Sequence, residues 1–415
     1  MSPSTSPWRN RDFALLQAGR LFSTTGTQLS TFAYPLLALA ITGSPMVAGL
    51  VVGASYVAYP VLGPFAGLVA DRISRRAIMI TADVLRVLAL GTLGIVVVAG
   101  HPTWWIMLAV ALVESCSGVF FSAAEVGALR AVVPRDQIPA AAGAEQARAA
   151  VVRLVGPPLG GVLYGVGRAV PFLADAISYL ASLLSLVALG MPFQQQHQST
   201  DLPVRRQLVE GFAYLFRHPF LRTCSLIFAL GNLVFPGLQM VLVVSATQHG
   251  LSSGRLGALI AAFGVATLLG ALASSVLQRR LSVRAILLTE LWTWPATAAF
   301  LIWPHPYVLA AGLMVQGFTL PVTDSVVIGY RTAVVPDAVL GRVDSAARSI
   351  SMSVMPLGPV LAGVLLSVFG AWGAMACLSA LGAGLALWGS VSSAIRSAPS
   401  LRTGLEVGDA STVTT

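Results

Sequence analysis

The sequence is poor in charge, has only three cysteines and contains no lysine among its basic residues. Only 10% of its 415 residues are charged, whereas a soluble domain carries roughly 25%. With a mean hydropathy of +0.81, a soluble fold of this length could not cover its surface with polar groups. The composition excludes a soluble globular enzyme, a disordered chain and a disulfide scaffold, and it predicts a polytopic membrane protein.

Signatures of catalysis are also missing. The sequence has no Gly-Lys-Ser/Thr phosphate-binding loop, no cluster of metal ligands and no nucleophile triad. Its three cysteines lie inside apolar stretches without the spacing of a disulfide or metal site. We therefore expect no enzyme activity, no cofactor and no bound metal, and any transport would draw its energy from an ion gradient.

Long apolar runs fill most of the chain. A helix needs about 20 apolar residues to cross the hydrocarbon layer, and a helix satisfies its own backbone hydrogen bonds inside lipid. The runs are too long and too uniformly apolar for the short alternating strands of a β-barrel. We predict an all-α membrane protein with twelve transmembrane helices over 13–41, 46–70, 77–99, 104–129, 143–167, 170–191, 220–247, 255–278, 283–303, 307–331, 343–369 and 373–395.

The arginines are distributed unevenly between the two sides of these spans. With the N-terminus in the cytoplasm, 18 arginines fall inside and only Arg168 and Arg255 fall outside. This bias follows the positive-inside rule. It predicts a multi-pass membrane protein with both termini cytoplasmic, and the all-arginine basicity with abundant alanine indicates a bacterial plasma membrane. The net charge of +9 is thus a topology signal, and we expect no nucleic-acid partner.

The two halves of the chain resemble each other in sequence. Gly156–Leu163 matches Gly358–Leu365 at an offset of 202 residues without a gap. Because each half holds an even number of spans, the halves would form a parallel repeat and rock during transport. We predict an N-terminal six-helix bundle over 1–191, a cytoplasmic linker with an amphipathic segment over 192–218, a C-terminal six-helix bundle over 219–395 and a polar cytoplasmic tail over 396–415.

A charged loop follows the second predicted span. Its sequence, Gly67–Arg76, resembles the signature loop of the major facilitator superfamily, except that Ser74 stands where that family usually has glycine. The resemblance implies the major facilitator fold and a cytoplasmic latch, in which an acid caps a helix and pairs with arginines; a solvated charged turn is the alternative. The gating residues that it implies are Gly67, Asp71, Arg72, Arg75 and Arg76.

The fifth predicted span contains a glycine- and proline-rich segment. Gly156–Gly161 is similar to the antiporter motif of the same superfamily, although Val152 replaces an earlier glycine. The resemblance implies a hinge or seal that favours export, with tight helix packing as the alternative. Its residues are Gly156, Pro157, Gly160 and Gly161. Three further segments resemble the drug/proton antiporter branch that includes macrolide and siderophore exporters, namely 120–124, 172–176 and 340–343.

Acids inside predicted spans are costly and usually functional. In the superfamily, spans 1, 4, 7 and 10 line the cavity, which favours Glu114 in span 4 and Asp324 in span 10 as proton carriers. A structural pair with an arginine is the alternative for each. Asp175 and Glu290 fall on outer spans, where we expect structural roles, and Glu125 could join an inner gate.

Several acids and arginines in the spans lie three or four residues apart, so each pair can meet on one helix face. We interpret them as structural ion pairs near the inner gate: Asp83 with Arg86, Glu145 with Arg148, and Asp344 with Arg348.

Polar residues on otherwise apolar spans predict a wet substrate cavity. Span 1 has a polar stripe at helical spacing, and spans 7 and 10 have similar positions. A roomy apolar pocket with few polar anchors suits a lipophilic or amphipathic solute. The expected substrate-binding residues are Arg20, Thr24, Gln28, Phe121, Asn232, Phe235, Gln239 and Gln316.

These patterns together predict a monomeric secondary transporter. It would export a drug-like or secondary-metabolite molecule in exchange for protons by alternating access, with the small molecule, protons and the lipid bilayer as its partners. An uptake permease of the same fold and a membrane sensor or accessory subunit that transports nothing are the alternatives.

Overall fold

The structure is a computed structural model that describes Trp8 and residues 10–134, 137–189 and 204–396. Within these ranges the regular structure is helical and contains no strand, which confirms the all-α fold class. The helices of the first half are α1 (Arg11–Thr42), α2 (Pro45–Arg72), α3 (Arg75–Val98), α4 (Trp104–Val132), α5 (Ile138–Val166) and α6 (Val170–Val187). Those that follow are α7 (Val204–Arg217), α8 (Pro219–Gln248), α9 (Ser253–Arg280), α10 (Val283–Ala296), α11 (Ala299–Ile302), α12 (Pro306–Val334), α13 (Asp337–Ser353), α14 (Leu357–Val391) and α15 (Ser393–Arg396).

Local sequence signals set the ends of the first helices. Asn10 caps α1 by accepting hydrogen bonds from the next backbone amides. Gly43 ends α1 in the left-handed region with a φ of 64°, a conformation that costs glycine little. Ser44 then caps α2, and Pro45 occupies its first turn. The predicted break between the first two spans therefore consists of one C-cap and one N-cap.

The described ranges contain ten helical segments that are long and apolar enough to cross a membrane. α1 is not among the ten because its polar side chains lower its hydropathy, yet its 32 residues extend about 48 Å at 1.5 Å per residue. The last of the ten, Val339–Val391, includes both α13 and α14, and Gly370 breaks α14 with a φ of 68°. These segments are consistent with the twelve predicted spans.

The chain divides into two compact units. Unit 1 comprises 1–199 and 250–261, and unit 2 comprises 200–249 and 262–415. In unit 1, α1 packs against α5 and α6, while α3 packs against α4 and α6. A buried apolar cluster that includes Phe13, Met79, Phe121 and Leu186 fills the space between these helices. α1 thus packs against several helices of unit 1, while Leu21 and Phe22 remain exposed.

Unit 2 contains α8 packed against α14, and α10 packed against α12 and α14. α7 belongs to this unit and packs against α13, where Arg342 forms a 2.5 Å ion pair with Glu210 and the Tyr214 hydroxyl donates to the Val334 carbonyl. The predicted amphipathic segment is therefore a helix with protein contacts along one face. Part of the predicted linker, 192–203, and most of the predicted tail, 397–415, lie outside the described residues.

Candidate functional site

Four charged side chains are buried together among α1, α3, α4 and α6 of unit 1. They are Asp83, Arg86, Glu114 and Asp175, of which Glu114 is 7% exposed and Asp175 is fully buried. Buried charges are costly unless they are paired or neutralised. Because three carboxylates face one guanidinium here, the arrangement favours binding of a proton.

Ser30 on α1 connects the carboxylates of Glu114 and Asp175. Its hydroxyl lies 2.6 Å from Asp175 Oδ2, 3.4 Å from Glu114 Oε1 and 3.1 Å from the Thr27 carbonyl. A serine hydroxyl has one hydrogen to donate, so it cannot serve both carboxylates and the carbonyl. A proton on one of the two carboxyl groups supplies the missing donor.

One tyrosine and one glycine fix the position of these acids. The Tyr34 hydroxyl donates to Glu114 Oε2 at 2.8 Å, and the Tyr34 ring packs against Phe172 with centroids 5.3 Å apart. Gly26 lies one turn before Ser30, and a Cβ added there would overlap Ser178 and Asp175. The absence of a side chain at Gly26 therefore lets α1 approach α6 closely enough for Ser30 to reach Asp175.

Arg86 is the guanidinium of this cluster. It lies over the Tyr179 ring at 4.8 Å and the Phe121 ring at 5.4 Å, and its Nη1 is 3.5 Å from Asp83 Oδ1. The Asp83 carboxylate also lies within hydrogen-bonding reach of Ser182, and Arg20 contributes a further electrostatic contact. Arg86 interacts electrostatically with Glu114 and Asp175 as well, which leaves the acids in excess.

A second group of charges lies along α1, α4 and α5. Arg20 pairs with Glu125 at 2.5 Å and also lies over Phe121 at 5.0 Å. Arg148 is 3.7 Å from Glu145 and donates to Gln17 at 2.8 Å. Arg20, predicted to bind substrate, is thus held in an ion pair. Glu125 is buried beside it, and Thr24 donates to the Arg20 carbonyl at 2.5 Å.

The predicted signature loop spans the end of α2 and the start of α3. Gly67 and Arg72 are exposed on α2, and the side chain of Asp71 lies outside the described part of the structure. Arg75 is buried over Gly127, where an added Cβ would meet its guanidinium. Arg76 donates to the Val187 carbonyl at 2.9 Å and so satisfies a carbonyl at the end of α6.

Ser74 in the same loop caps α3, because its hydroxyl accepts from the Ala77 amide at 3.4 Å. Serine is among the preferred N-cap residues. The departure from the superfamily's usual glycine therefore has a local structural reason.

The glycine- and proline-rich motif lies on the side of α5 that faces α1. A Cβ on Gly156 would meet the Gln28 side chain, and one on Gly160 would press against Phe32. The Gly161 carbonyl accepts a 2.7 Å hydrogen bond from Ser253 at the start of α9, and α5 continues through Pro157. These glycines permit the close packing of helices on which both the hinge and the packing interpretations depend.

Unit 2 contains a cavity of about 60 Å³ between α8, α10, α12 and α14. Three predicted substrate residues, Asn232, Phe235 and Gln316, contribute to its lining. The other lining residues described are Cys224, Ile227, Phe228, Gly231, Leu287, Glu290, Leu291, Trp294, Leu320, Thr323, Leu385 and Ile395. Three of the four predicted substrate positions of the second half are therefore brought together.

The polar lining of this cavity contains both donors and acceptors, and Thr323 donates a hydrogen bond to the Glu290 carboxylate. Gln316 is 2% exposed, and its Oε1 has no hydrogen-bond partner. Asn232 donates to the Ser351 carbonyl at 2.9 Å, and the Phe235 ring packs against Phe263 at 5.0 Å. Glu290 is 6% exposed and is the charged residue among the described lining.

Two predicted residues of unit 2 lie apart from this cavity. Asp324 is exposed on α12, although it lies close enough to Glu290 for their charges to repel. The expected burial of a proton carrier is thus found at Glu114 and not at Asp324. Gln239 is half-buried on α8 and is not in the described lining of the cavity.

The predicted pairing of Asp344 with Arg348 is wrong. Asp344 on α13 pairs instead with Arg331 of α12, and Arg348 is exposed. The two other predicted pairs lie within ion-pair distance, as described above.

Sequence reasoning missed Ser30 and Tyr34 as partners of Glu114. It also assigned structural roles to Asp175 and Glu290. The available signal was spacing, since Gly26, Ser30 and Tyr34 follow each other at four-residue intervals on one face of α1. Which face of α4 or α6 that stripe meets depends on packing and is not encoded in spacing alone.

The sequence comparisons with known proteins all indicate the same family of membrane transporters. Residues 18–247 match the profile described as Major Facilitator Superfamily. Macrolide efflux protein A of Streptococcus pyogenes is 26% identical over 346 residues, which cover 78% of this chain and 81% of that protein. Multidrug efflux pump Tap of Mycolicibacterium fortuitum is 26% identical over 370 residues, covering 86% and 88%.

Solved structures share the fold at low sequence identity. An inward-facing, unoccupied bacterial homologue of the human lysosomal transporter Spinster matches with a TM-score of 0.69 at 16% identity, covering 98% of this chain and 96% of that one. The nucleoside transporter NupG matches with a TM-score of 0.70 at 14% identity, covering 93% and 100%. At these identities the likeness establishes the fold and not the cargo.

Proposed function

The chain belongs to the major facilitator superfamily of membrane transporters, and within that family we propose that it exports a lipophilic or amphipathic small molecule in exchange for protons. The relatives named as efflux proteins and the glycine-rich face of α5 support export over uptake. A drug or secondary metabolite is the proposed cargo class. Alternating access between inward- and outward-open states is the proposed mode of transport.

One observation carries the proposed proton coupling. Glu114 and Asp175 approach the same Ser30 hydroxyl inside unit 1, and that hydroxyl has a single hydrogen to donate. With both acids ionised, two buried negative charges would face one donor. With one acid protonated, every oxygen around Ser30 has a hydrogen-bond partner. Glu114 is the proposed carrier because Tyr34 donates to its second oxygen and can stabilise the ionised form after the proton leaves.

The energy available from protons suits this role. A proton that moves down a potential of 100 mV releases about 2.3 kcal/mol. Export against a gradient therefore needs only one or two protons per cycle for modest accumulation. The ion pairs Arg20–Glu125 and Arg148–Glu145, together with Arg72, Arg75 and Arg76, are proposed as parts of a cytoplasmic gate.

The proposed setting is the bacterial plasma membrane, with both termini in the cytoplasm and the monomer as the working unit. The uneven distribution of arginine in the sequence supports this orientation. The proposed partners are the transported molecule, protons and the bilayer.

Inverted membrane vesicles test the proposal. Erythromycin serves as the macrolide probe, and vesicles with an acidic interior should accumulate it when the wild-type chain is present. Glu114→Gln should abolish the acceleration by the pH gradient, while Glu210→Gln, which alters an exposed ion pair on α7, should retain it. Erythromycin uptake into vesicles with the opposite gradient, or no transport of it in either direction, would contradict proton-coupled export of this drug.

A further inference from the structure

The cavity of unit 2 carries one negative charge and no positive charge among its described lining residues. Glu290 supplies that charge, and the other described lining residues are apolar or neutral. Glu290 is buried, and within the described chain no arginine or histidine forms a salt bridge with it. A buried carboxylate without a counter-ion attracts a cation or takes up a proton.

Among the described lining residues, Thr323 donates a hydrogen bond to the Glu290 carboxylate, but no positively charged side chain lies beside it. Gln316 Oε1 lines the same cavity, is buried and lacks a donor. The exposed carboxylate of Asp324 adds a second negative charge nearby. A buried acceptor without a donor carries a desolvation cost of about 1–3 kcal/mol, which a positively charged ligand can offset. The charge of Glu290 would repel an anionic ligand.

The remaining walls suit the apolar part of such a ligand. Phe228, Phe235 and Trp294 contribute aromatic surface, and aromatic faces attract organic cations by cation–π contact. A cavity of about 60 Å³ holds a few waters or one head group, since a single water needs roughly 10–15 Å³ by this measure. A drug-sized molecule would therefore place only its charged group inside.

We propose that the cavity beside Glu290 binds the positively charged head group of an organic cation. Glu290 supplies the counter-charge, Gln316 an acceptor and Trp294 an aromatic wall. This inference rests on the proposed export function and narrows its cargo to amphipathic cations such as protonated or quaternary amines. It reassigns Glu290 from a structural acid on an outer helix to a specificity-determining residue.

Calorimetric binding to the purified full-length chain tests the inference without a proton gradient. The probes are benzyltrimethylammonium and its uncharged carbon isostere, neopentylbenzene. The wild type should bind the cation at least about tenfold more tightly than the isostere, a difference of about 1.4 kcal/mol. Glu290→Gln preserves the shape of the side chain and should reduce this preference to less than twofold.

Two further variants distinguish a specific loss of cation binding from a loss of folding. Gln316→Leu removes the unpaired acceptor and should weaken cation binding while it leaves the thermal unfolding temperature unchanged or higher. Glu210→Gln, the same substitution on an exposed helix of the same unit, should bind as the wild type does. Equal binding of cation and isostere, undiminished binding by a folded Glu290→Gln variant, or no binding to the wild type would each overturn the inference.

Failure here is distinguishable from failure of the proposed function. If the cation does not bind but erythromycin export follows the pH gradient, only the Glu290 site is wrong. If the cation binds through Glu290 but no transport responds to the gradient, the proton-coupled function is wrong.

Discussion

The Tyr34 hydroxyl donates a 2.8 Å hydrogen bond to the Glu114 carboxylate in the interior of unit 1. Both side chains are buried, and Tyr34 is anchored by its contact with Phe172. An acid that must release a proton inside protein needs a donor that stabilises its ionised form. Tyr34 suits that role because its ring is held by packing against Phe172.

Removal of this donor should weaken proton coupling. Tyr34→Phe keeps the aromatic packing and leaves Glu114 without its shorter hydrogen bond, so ionisation of Glu114 becomes less favourable. We expect a loss of gradient-driven erythromycin transport of about tenfold or more, corresponding to the roughly 1.5–3 kcal/mol of a charged hydrogen bond. The initial rate of erythromycin uptake into inverted vesicles measures this loss. Tyr59→Phe, at a position 49% exposed on α2, is the matched control and should transport normally.

Neutralisation of Asp175 should change the number of protons bound. Asp175→Asn removes one of the two acids that face Ser30, and its amide can satisfy the same hydroxyl. Glu114 then no longer needs a proton to complete the hydrogen bonds, and we expect proton movement per erythromycin transported to fall. A pH-sensitive dye inside proteoliposomes reports that ratio. An unchanged ratio in Asp175→Asn would count against a proton shared through Ser30. Asp12→Asn, which removes an acid in the first turn of α1, is the control and should leave the number of protons moved per erythromycin unchanged.

Close approach of α1 to α6 should depend on Gly26. Gly26→Ala would drive a Cβ into Ser178 and Asp175, and overpacking of this kind costs about 1–3 kcal/mol. We expect a lower unfolding temperature in detergent and weaker transport. Gly91→Ala on α3 is the comparison, because an added Cβ there meets no atom within 4 Å. Its unfolding temperature should stay the same or rise, and equal effects of the two substitutions would refute the steric explanation.

The cap of α3 predicts an order of stabilities. Ser74→Ala should lower stability by about 1 kcal/mol, whereas Ser74→Gly, which restores the superfamily's usual residue, should cost only a few tenths. Thermal unfolding of the purified chain measures both. If alanine and glycine are equally harmless at this position, the Ser74 hydroxyl does not cap α3 in the membrane protein.

The helices could be predicted from the sequence more fully than the buried site could. Apolar runs and the breaks at Gly43 and Gly370 define helix lengths, because lipid thickness and glycine's free φ act locally. Glu114 could be singled out because a charge inside an apolar run is rare. These features depend on residues close together in the chain, so no tertiary information is needed to find them.

Partners from different helices could not be derived in the same way. Asp175 meets Ser30 across 145 residues, and Asp344 meets Arg331 of another helix instead of Arg348 of its own. Such pairings depend on how each helix is rotated, which Gly26 and Gly156 help to set through close contact. Spacing reveals which residues share a helix face, but it does not reveal which neighbour that face contacts.

The most direct test of a proton carried by Glu114 is proton release when substrate binds. Erythromycin is added to purified protein in weakly buffered detergent solution, and a pH-indicator dye records the protons released. Wild type and Glu210→Gln should release protons in proportion to the erythromycin bound, while Glu114→Gln should bind erythromycin and release fewer or none. Equal proton release by a folded, erythromycin-binding Glu114→Gln variant would contradict the assignment.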